Sequence, residues 1–496
     1  MGADLPNRLL IESDRYETRA AVLEGERVAE VHVERTGRRS LVGAIFKGRV
    51  MRVLPGMNAA FVDLGLERHG YLFAAEAAAY DEAELGPGGR AQRRIGELVS
   101  DGQQLLVQVV KDAAPGKGAR LSARLSLAGR LLVFLPAGRS CSVSKQIDDA
   151  DERDRLEAEL GRTLGGKGGA IARTAAAGAE RQELEVEAAA LHASWQQVQD
   201  AAGQSACPAL LYRDFALHLR MVRDQPASGW QSIRVAGERA ADDVEEYLRR
   251  HAPTLLARFE RRGAEHGLLA GHGVDAAIEK ALKSRVWLSN GGYLVVDTTE
   301  ALTTIDVNTG GYVGERSLDD TILATNLDAA REAARQIRLR DLGGIVVIDF
   351  IDMAGDEDRD RVLAALDREL ARDRVRTWLA PHSHFGLVEI TRKRSRPNLR
   401  AQMTERCPTC RGDRRTIDVE TAALGLRRRL LADQAAPESR GKVGSDVRVA
   451  VSRRLAGYLE TDGGSFLEQL ESELACRVGL EIDDSLDAAE FEILSG

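Results

Sequence analysis

The N-terminal part of the chain consists of short apolar runs with charged ends, a pattern that predicts β-strands. Residues 8–11, 17–23 and 27–33 form three such runs, with turn residues between them. From about Gly43 the runs are interrupted by glycine and proline, and they resume in the segment GQQLLVQVVKD. Five short strands within about eighty residues predict a small closed barrel of the OB type.

Beyond this barrel, helical and strand patterns alternate. DDADERDRLEAELGRTL opens with acidic residues and has Leu156 and Leu160 four residues apart, which predicts a helix. GGYLVVDTTEALTTIDVN predicts strands, GGIVVIDF predicts a buried strand, and ALHLRMVRD fits a strand or a short helix. The strand–helix–strand order indicates an α/β layer, and a polar run at 432–446 predicts a linker before a small α/β module. Further helices are predicted over residues 180–199, 242–262, 318–340 and 356–374.

The composition narrows the class of protein. A length of 496 residues predicts several domains. The chain carries 69 Lys and Arg against 77 Asp and Glu, which gives a formal net charge of −8. This net charge excludes a protein surface that is basic throughout, so any nucleic acid must bind in local basic grooves. Five cysteines do not make a disulfide scaffold and favour a reducing compartment, which we expect to be the cytoplasm. We expect no signal peptide and no membrane segment.

The glycine-rich residues 161–168 resemble a phosphate-binding loop but lack two of its features. Gly168 stands where a Ser or Thr would bind Mg²⁺, and a predicted helix rather than a strand precedes the segment. The sequence therefore favours a flexible turn over a nucleotide-hydrolysing site.

Two aspartates interrupt or end strongly apolar strands. They are Asp306 in the run Ile-Asp-Val-Asn, which ends at Asn308, and Asp349 in Ile-Asp-Phe. Burying an unpaired carboxylate is costly, and Mg²⁺ compensates such charges well with one or two carboxylates and water. The alternative is that each Asp caps a turn or pairs with an arginine. Because two such residues follow neighbouring strands, we favour a metal site.

The segment Cys407-Pro-Thr-Cys410 has the spacing of a zinc hook. A structural zinc needs four ligands, and the other three cysteines are single and scattered. A second copy of the chain, related by a twofold axis, would supply the missing pair. The alternatives are that His382 or His384 completes the site within one chain, that the thiols bind no metal, or that the motif has a redox role.

The predicted barrel combines aromatic and basic residues. Phe61 and Tyr71 lie in strand runs, and such aromatics beside cations suit single-stranded nucleic acid, although Phe61 could equally belong to the core. A second basic cluster follows the predicted metal strand. The cations near the barrel are Lys47, Arg49, Arg52, Arg68 and Lys117, and those of the second cluster are Arg392, Lys393, Arg394 and Arg396.

Four segments together resemble the ribonuclease E/G family. They are Thr-Ile-Asp-Val-Asn-Thr-Gly-Gly around Asp306, Thr-Asn-Leu-Asp-Ala-Ala from Thr325, the long run from Arg338 to Met353, and the Cys407–Cys410 hook. The resemblance covers the chain from its start through the hook and continues more weakly beyond it. The form TIDVNTGGYVG and the short C-terminal part favour the ribonuclease G branch of the family.

The resemblance implies a multidomain fold that mixes α+β and α/β parts. An RNase H-like domain would be divided by an inserted OB-fold barrel and a 5′-sensor region, and a DNase I-like catalytic domain would follow. The implied ranges are 1–37 and 219–281 for the RNase H-like parts, 38–122 for the RNA-binding barrel, 123–218 for the 5′-sensor, 282–403 for the catalytic domain, 404–416 for a zinc-link, and 417–496 for a linker and small C-terminal α/β domain.

The resemblance also implies roles for particular residues. Asp306 and Asp349 match Mg²⁺ ligands, and Asn308 matches a residue that helps to hold that site. The zinc-link implies Zn²⁺ shared by Cys407 and Cys410 of two chains, hence a homodimer or a higher oligomer. The RNA-gripping positions are Phe61, Tyr71 and Lys117, and the positions that contact a 5′-monophosphate are Arg173, Thr174, Gly129, Val133 and Arg376.

The function implied is that of a Mg²⁺-dependent endoribonuclease that acts on single-stranded RNA in rRNA maturation and mRNA decay. The expected preference is for 5′-monophosphorylated RNA, with 5′-phosphate and 3′-hydroxyl products. Two alternatives remain open at this point: a non-catalytic protein that binds single-stranded RNA on its barrel, and a DNA phosphodiesterase with similar metal chemistry.

Overall fold

The computed structural model describes residues 7–77, 94–113, 117–224, 230–263, 267–310, 318–380, 386–394, 396–404, 418–435, 446–462, 464–487 and 490–494. The chain separates into two compact bodies, Met1–Gln402 and Met403–Gly496. The predicted zinc hook at Cys407 and Cys410, with His382 and His384, lies outside the described residues.

The elements follow one another along the chain as strands and helices of mostly modest length. The described strands are β1 (Asn7–Ser13), β2 (Glu17–Glu24), β3 (Arg27–Arg35), β4 (Ile45–Leu54), β5 (Ala59–Asp63), β6 (Gly70–Phe73), β7 (Gln104–Lys111), β8 (Arg120–Ser122), β9 (Leu127–Ala128), β10 (Leu132–Leu135), β11 (Cys141–Val143), β12 (Gly169–Ala172), β13 (Ala209–Tyr212), β14 (Trp230–Ala236), β15 (Phe259–Arg262), β16 (Arg285–Trp287), β17 (Tyr293–Thr298), β18 (Leu302–Asn308), β19 (Gly344–Asp349), β20 (Thr377–Leu379), β21 (Val388–Arg392), β22 (Val447–Val451), β23 (Val478–Ile482) and β24 (Phe491–Leu494).

Helices occur throughout both bodies. The described helices are α1 (Ala74–Ala77), α2 (Ile95–Leu98), α3 (Ala150–Leu164), α4 (Arg181–Gln204), α5 (Leu217–Arg223), α6 (Glu238–His251), α7 (Pro253–Leu256), α8 (Val274–Leu282), α9 (Leu318–Leu339), α10 (Asp356–Leu370), α11 (Leu399–Met403), α12 (Val419–Ala435), α13 (Arg453–Gly457) and α14 (Gly464–Leu474). Among them, none combines the length and the apolar character that crossing a membrane requires.

The first sheet is assembled from two distant parts of the chain. Its order is β15-β14-β1-β2-β3, with β1 parallel to β14 and antiparallel to β2. Helices α5 and α6 pack on one face, where Leu9, Ile11, Val235 and Leu248 share a buried cluster. The residues between β3 and β14 are therefore an insertion into this sheet.

The inserted part begins with a closed barrel. Strands β4, β5, β6, β8 and β7 pair in that order, and pairing of β7 back onto β4 closes the ring. Val50, Val62, Leu72 and Leu121 fill its interior and are fully buried. The predicted closed five-stranded barrel of the OB type is confirmed, within a mixed α+β chain.

A second inserted unit follows the barrel. Its sheet has the order β11-β12-β10-β9, and the long helices α3 and α4 pack against it. Leu156 and Leu160, which predicted α3, are both buried in the shared core, together with Phe134 of β10 and Leu184 of α4. The periodic apolar face is therefore what attaches α3 to the sheet.

A further six-stranded sheet of the first body, which we call the α9 sheet, has the order β16-β17-β18-β19-β21-β20. Among the described residues, helices α9 and α10 cover one of its faces, in a core that contains Val346 and Ile348 of β19, and leave the other uncovered. The prediction that β19 is a buried strand is wrong, because its alternate residues point to the uncovered face and Ile345 is 49% exposed.

One helix was predicted over residues 242–262, and this prediction is also wrong. Helix α6 begins earlier, at Glu238, and ends at His251. Pro253 begins the short helix α7, since a proline cannot continue the hydrogen bonding of a preceding helix. Residues of β15 then pair with β14 in parallel. The segment ALHLRMVRD, which fitted a strand or a helix, forms α5.

A buried ionic cluster joins the first sheet to the α9 sheet. Arg338 of α9 donates to Glu30 of β3 at 3.1 Å, and Arg374 donates to the same carboxylate at 2.5 Å. Burial alone would raise the pKa of Glu30, but Arg374 and His32 hold that pKa well below its usual value. The two sheets are thus held together by paired charges as well as by apolar contact.

The second body contains a small sheet with helices around it. The strand order is β23-β22-β24, with β22 parallel to β23 and antiparallel to β24. Val449 and Val451 of β22, Leu455 of α13 and Leu470 of α14 form its buried core with residues of α12. This body therefore has an apolar core of its own.

His32 makes the stability of the first body depend on pH. Burial, together with the nearby Arg396, lowers its pKa from 6.5 to about 4. Below about pH 6.5 the unfolded chain gains a proton that the folded chain does not, so the free energy of unfolding falls as the pH drops toward 4. Each tenfold difference in proton affinity is worth about 1.4 kcal/mol, which limits the loss to about 3 kcal/mol.

We therefore expect urea to unfold the wild-type chain at a lower concentration at pH 5 than at pH 7, and His32→Gln to reduce this difference. Glutamine can still donate a hydrogen bond to Glu30 but does not take up a proton. Urea titrations of both chains at the two pH values measure the effect. An unchanged difference in His32→Gln would contradict the assignment to His32.

Candidate functional site

Asp306 and Asp349 lie side by side on neighbouring strands. β18 and β19 run parallel, since α9 carries the chain from the end of one to the start of the other, and the two aspartates are register partners. Asn308 Nδ2 donates to Asp306 Oδ2 at 2.6 Å. The structure thus brings the three residues together at the carboxyl ends of two parallel strands.

Both carboxylates are exposed on the uncovered face of the sheet, so the premise that they are buried is wrong. Their apolar neighbours Ile305 and Ile348 point the opposite way, into the core beneath α9. Within the part of the chain that the structure describes, neither aspartate forms an ion pair, and no three His, Cys, Asp or Glu residues cluster as metal ligands. The described site is therefore a carboxylate pair without a countercharge.

Helix α9 fixes the loops around this pair through buried polar side chains. Asn326, fully buried, donates from Nδ2 to the Ile351 carbonyl at 2.8 Å and accepts from the Ile351 N–H at 3.1 Å. Thr325 accepts a hydrogen bond from Asn290 in the turn before β17. Sequence reasoning gave these residues no role. The sequence does contain a signal for them: Thr325 and Asn326 are polar, yet they lie on the helix face that also buries Ala329.

The barrel presents a row of aromatic rings. Phe61 and Tyr71 are cross-strand partners with ring centroids 5.6 Å apart, and Phe73 lies 4.5 Å beyond Tyr71. Arg120 stacks over Phe73 at 5.1 Å, and Lys117 is exposed nearby in the chain. Along β5, Phe61 alternates with the buried core residues Ala60 and Val62 and is not part of the barrel core. The sequence had left open whether Phe61 belongs to that core.

Several of the basic positions suggested by the sequence have structural partners, among them Arg396, which pairs with Asp341 at 2.5 Å. Lys47 and Arg392 are the two clearest cases. Lys47 donates to the carbonyls of Ala202 and Ser205, at the C-terminal end of α4. Arg392 is buried and pairs with Asp341 and Asp373 at 2.6 Å each. The prediction that these two cations form part of basic surfaces is wrong, because carbonyl and carboxylate oxygens already neutralise or bind them.

The predicted 5′-phosphate residues cluster at one end of the four-stranded sheet. Arg173 directly follows β12, and its Nη1 donates to the Gly129 carbonyl at 2.5 Å. Thr174 Oγ1 donates to Gln146 Oε1 at 2.9 Å. Val133 lies in β10, which pairs with β12. Strand pairing and two side-chain hydrogen bonds therefore gather residues that are up to 45 positions apart (174 − 129).

Arg376 reaches the same region from another part of the chain. Arg173 and Arg376 line one cavity of about 1440 Å³, together with residues of the first sheet and of the α9 sheet. Arg173 also pairs with Asp224 at 2.9 Å. Burial alone would raise the pKa of Asp224, but Arg223 and Arg173 hold that pKa below its usual value. The arginine therefore already has an anionic partner.

Glu187 of α4 is a further residue that the sequence did not indicate. Its carboxylate accepts hydrogen bonds from the N–H groups of Arg130, Leu131 and Leu132, at 2.6, 2.6 and 2.9 Å. Burial raises the pKa of Glu187 even so. A Cβ atom at Gly129 would lie 2.7 Å from the carboxyl carbon of Glu187. This side chain thus shapes the turn that carries the Gly129 carbonyl to Arg173.

A model described as the Ribonuclease E/G family matches residues 126–395. The ribonuclease G of Escherichia coli strain K12 is 38% identical over 488 residues, which cover 98% of this chain and 99% of that relative. The chain belongs to the ribonuclease E/G family. The ribonuclease G of Haemophilus influenzae is similarly related, at 37% identity over 98% of this chain and 99% of the relative.

Ribonuclease E relatives within the family are less similar. The ribonuclease E of Escherichia coli strain K12 is 31% identical, and the match covers 98% of this chain but 46% of that relative. The higher identity to ribonuclease G, over almost its entire length, confirms the resemblance predicted from the motifs around Asp306 and the preference for the ribonuclease G branch.

Proposed function

We propose that this chain is a Mg²⁺-dependent endoribonuclease that cleaves single-stranded RNA and leaves a 5′-phosphate and a 3′-hydroxyl. The observation that carries the proposal is the register pairing of Asp306 with Asp349 on an open sheet face. The names of the relatives, ribonuclease G and ribonuclease E, support RNA as the substrate.

The chemistry of the carboxylate pair fits Mg²⁺. This ion prefers oxygen ligands and retains several waters, so one or two carboxylates suffice when a substrate phosphate also binds. Asp306 and Asp349 supply two carboxylates with no cationic partner among the described residues, and Asn308 holds one Asp306 oxygen in place. A bound Mg²⁺ would neutralise charge on the phosphate and make a bound water more acidic.

The products define the bond that breaks. Water oxygen becomes bonded to phosphorus, the bond between phosphorus and the 3′-oxygen breaks, and that oxygen leaves with its electron pair and takes up a proton. In this scheme Asp306 and Asp349 hold the metal, and Asn308 orients Asp306. The amide bonds of Asn326 to Ile351 keep the end of β19 in position.

The same proposal assigns the domains of the family to the observed units. The first sheet corresponds to the RNase H-like domain, the barrel to the RNA-binding OB domain, and the four-stranded sheet with α3 and α4 to the 5′-sensor. The α9 sheet corresponds to the DNase I-like catalytic domain, and the second body contains the small C-terminal domain. On the barrel, Phe61 and Tyr71 would stack on bases while Lys117 contacts the backbone.

A binding site for a 5′-monophosphate would lie around Arg173. A guanidinium can bind a terminal phosphate through two hydrogen bonds, and the Thr174 hydroxyl can add another. Gly129 and Val133 would line the pocket with backbone atoms, and Arg376 would add positive charge from the shared cavity. Arg173 contacts the Gly129 carbonyl and Asp224 through Nη1, so the phosphate would bind at its Nε and Nη2 groups.

Cellular roles follow from this activity. We propose that the chain acts in rRNA maturation and mRNA decay, in the cytoplasm.

The rival proposals are a non-catalytic RNA-binding protein and a DNA phosphodiesterase. Incubating a short 5′-monophosphorylated RNA, and DNA of the same sequence, with and without Mg²⁺ separates them. Intact RNA after long incubation favours the first rival, and equal cleavage of DNA favours the second.

Asp306→Asn and Asp349→Asn should each reduce cleavage by at least about a hundredfold, because each removes a negative metal ligand worth several kcal/mol to the transition state. RNA binding should remain largely intact, since the amide keeps the shape of the side chain. Rates at several Mg²⁺ concentrations and RNA affinities by fluorescence anisotropy measure both effects. Glu300→Gln is a control carboxylate in the turn between β17 and β18. Near-normal turnover of either Asp variant at low Mg²⁺ would refute the assignment.

Arg173→Ala should slow cleavage of 5′-monophosphorylated RNA about tenfold and leave cleavage of 5′-hydroxyl RNA almost unchanged. A hydrogen bond to a charged group contributes about 1.5–3 kcal/mol, part of which Asp224 already supplies to the arginine. The ratio of kcat/KM for the two RNAs measures the effect, and Arg162→Ala, at an exposed position of α3, is the matched control. Equal losses on both RNAs would instead indicate a structural role for Arg173.

Cys407 and Cys410 should bind half a zinc per chain, because each chain offers two thiolates and a closed tetrahedral site needs four. Cys407→Ser, or a strong chelator, should then loosen a dimer. Metal analysis and light scattering of the same samples measure both quantities. One zinc per chain in a stable monomer would show that ligands from within the chain complete the site.

A further inference from the structure

The uncovered face of the α9 sheet carries large aromatic side chains as well as the aspartate pair. Trp287 of β16 is 63% exposed, and Trp378 of β20 is 60% exposed at the opposite edge. Trp378 is the register partner of Thr391, whose neighbours Ile390 and Arg392 are buried, so it points to the uncovered side. Exposed tryptophans on a bare sheet face indicate a surface that binds something.

Of the two tryptophans, Trp287 is the one whose ring packs against neighbouring side chains on this face. It is the register partner of Tyr293, and the two rings meet edge to face with centroids 5.4 Å apart. Arg285, two residues earlier on the same face of β16, lies 4.5 Å from the Tyr293 ring and 5.8 Å from the Trp287 ring. Tyr293 and Arg285 thus brace the indole, which remains largely exposed.

This aromatic group lies next to the candidate catalytic residues. Tyr293 is the register partner of Asn308, and Val295 is the register partner of both Arg285 and Asp306. With strands about 4.8 Å apart, Tyr293 lies one strand from Asn308, and Trp287 lies two strands away, about 10 Å. If a phosphate binds at the aspartate pair, a neighbouring base of the same strand would therefore contact the rings of Trp287 and Tyr293.

We propose that Trp287, braced by Tyr293 and Arg285, stacks on a base of the RNA next to the scissile phosphate. Aromatic rings beside a guanidinium stack on any base, and unpaired bases are accessible in single strands. The positive charge of Arg285 suits an RNA backbone, and the face is continuous with the aspartate pair. The proposal rests on the proposed function, since it takes RNA as the occupant of that pair.

Trp378 provides a matched control. It is equally exposed on the same face, but β20 lies three strand spacings from β18, with β19 and β21 between them. Trp378 also lies level with Ile345, four residues before Asp349 on β19. At about 4.8 Å per strand and 3.3 Å per residue, it lies nearly 20 Å from Asp306. A base next to the scissile phosphate does not reach it.

The test compares Trp287→Ala, Trp287→Phe and Trp378→Ala in the full chain. Trp287→Ala should raise KM about tenfold, equally for 5′-monophosphate and 5′-hydroxyl RNA, and change kcat less than twofold. Trp287→Phe should retain most of the affinity because it keeps a ring, and Trp378→Ala should match the parent. A Trp287→Ala chain that behaves as the parent, or equal losses from Trp287→Ala and Trp378→Ala, overturns the proposal.

Binding measured without cleavage separates this proposal from the proposed function. Fluorescence anisotropy of labelled single-stranded RNA is recorded in Asp306→Asn with and without Trp287→Ala. If the wild-type chain binds RNA without cleaving it, and Trp287→Ala weakens binding about tenfold, the enzyme proposal fails but the stacking of Trp287 on an RNA base stands. If the parent binds no RNA, both fail. If Trp287→Ala instead dissociates an oligomer and leaves RNA affinity unchanged, a second copy of the chain covers this face and the stacking proposal fails.

Discussion

The parallel pairing of β18 with β19 is the constraint on which the candidate site depends. Asp306 and Asp349 meet because the register aligns them, and the register is held by the apolar residues that alternate with them. Ile305, Val307, Val346 and Ile348 all point into the core beneath α9. Slipping one strand by a single residue would bury a carboxylate and expose an isoleucine, so the cost of the wrong register is high on both faces.

Helix α9 connects this pairing to the rest of the first body. Its buried Asn326 holds the chain that leaves β19, and its Arg338 enters the ionic cluster around Glu30 of the first sheet. Arg338 also pairs with Glu24 at 2.6 Å, and Glu30 also pairs with Arg374, so removing either Arg338 or Glu30 leaves a buried charge that is only partly compensated. One helix thus fixes the end of the strand that carries Asp349 and the position of the neighbouring sheet.

The sequence predicted those features that depend on local patterns. Glycine-broken strands indicated the barrel, the leucines of α3 indicated its buried face, and two aspartates in apolar runs indicated the carboxylate pair. The end of α6 and the strand β15 were missed, because parallel pairing with β14 is a long-range interaction that helix periodicity does not reveal. The exposure of the aspartates was missed for a similar reason: an apolar strand can be covered on one face or on two, and only the placement of α9 and α10 decides which. Likewise, the sequence around Arg392 does not indicate its pairing with Asp341 and Asp373, because both carboxylates come from other parts of the chain.

Gly129 illustrates how a distant side chain can restrict the residue allowed at a turn. Its backbone is outside the left-handed region, so conformational freedom is not what requires a glycine there. The requirement is space, which the carboxylate of Glu187 occupies while it binds the next three backbone N–H groups. The two positions are therefore energetically coupled. A shorter side chain at 187 would make room for alanine at 129 but would leave those N–H groups without their acceptor, so neither position can change freely while the other stays as it is.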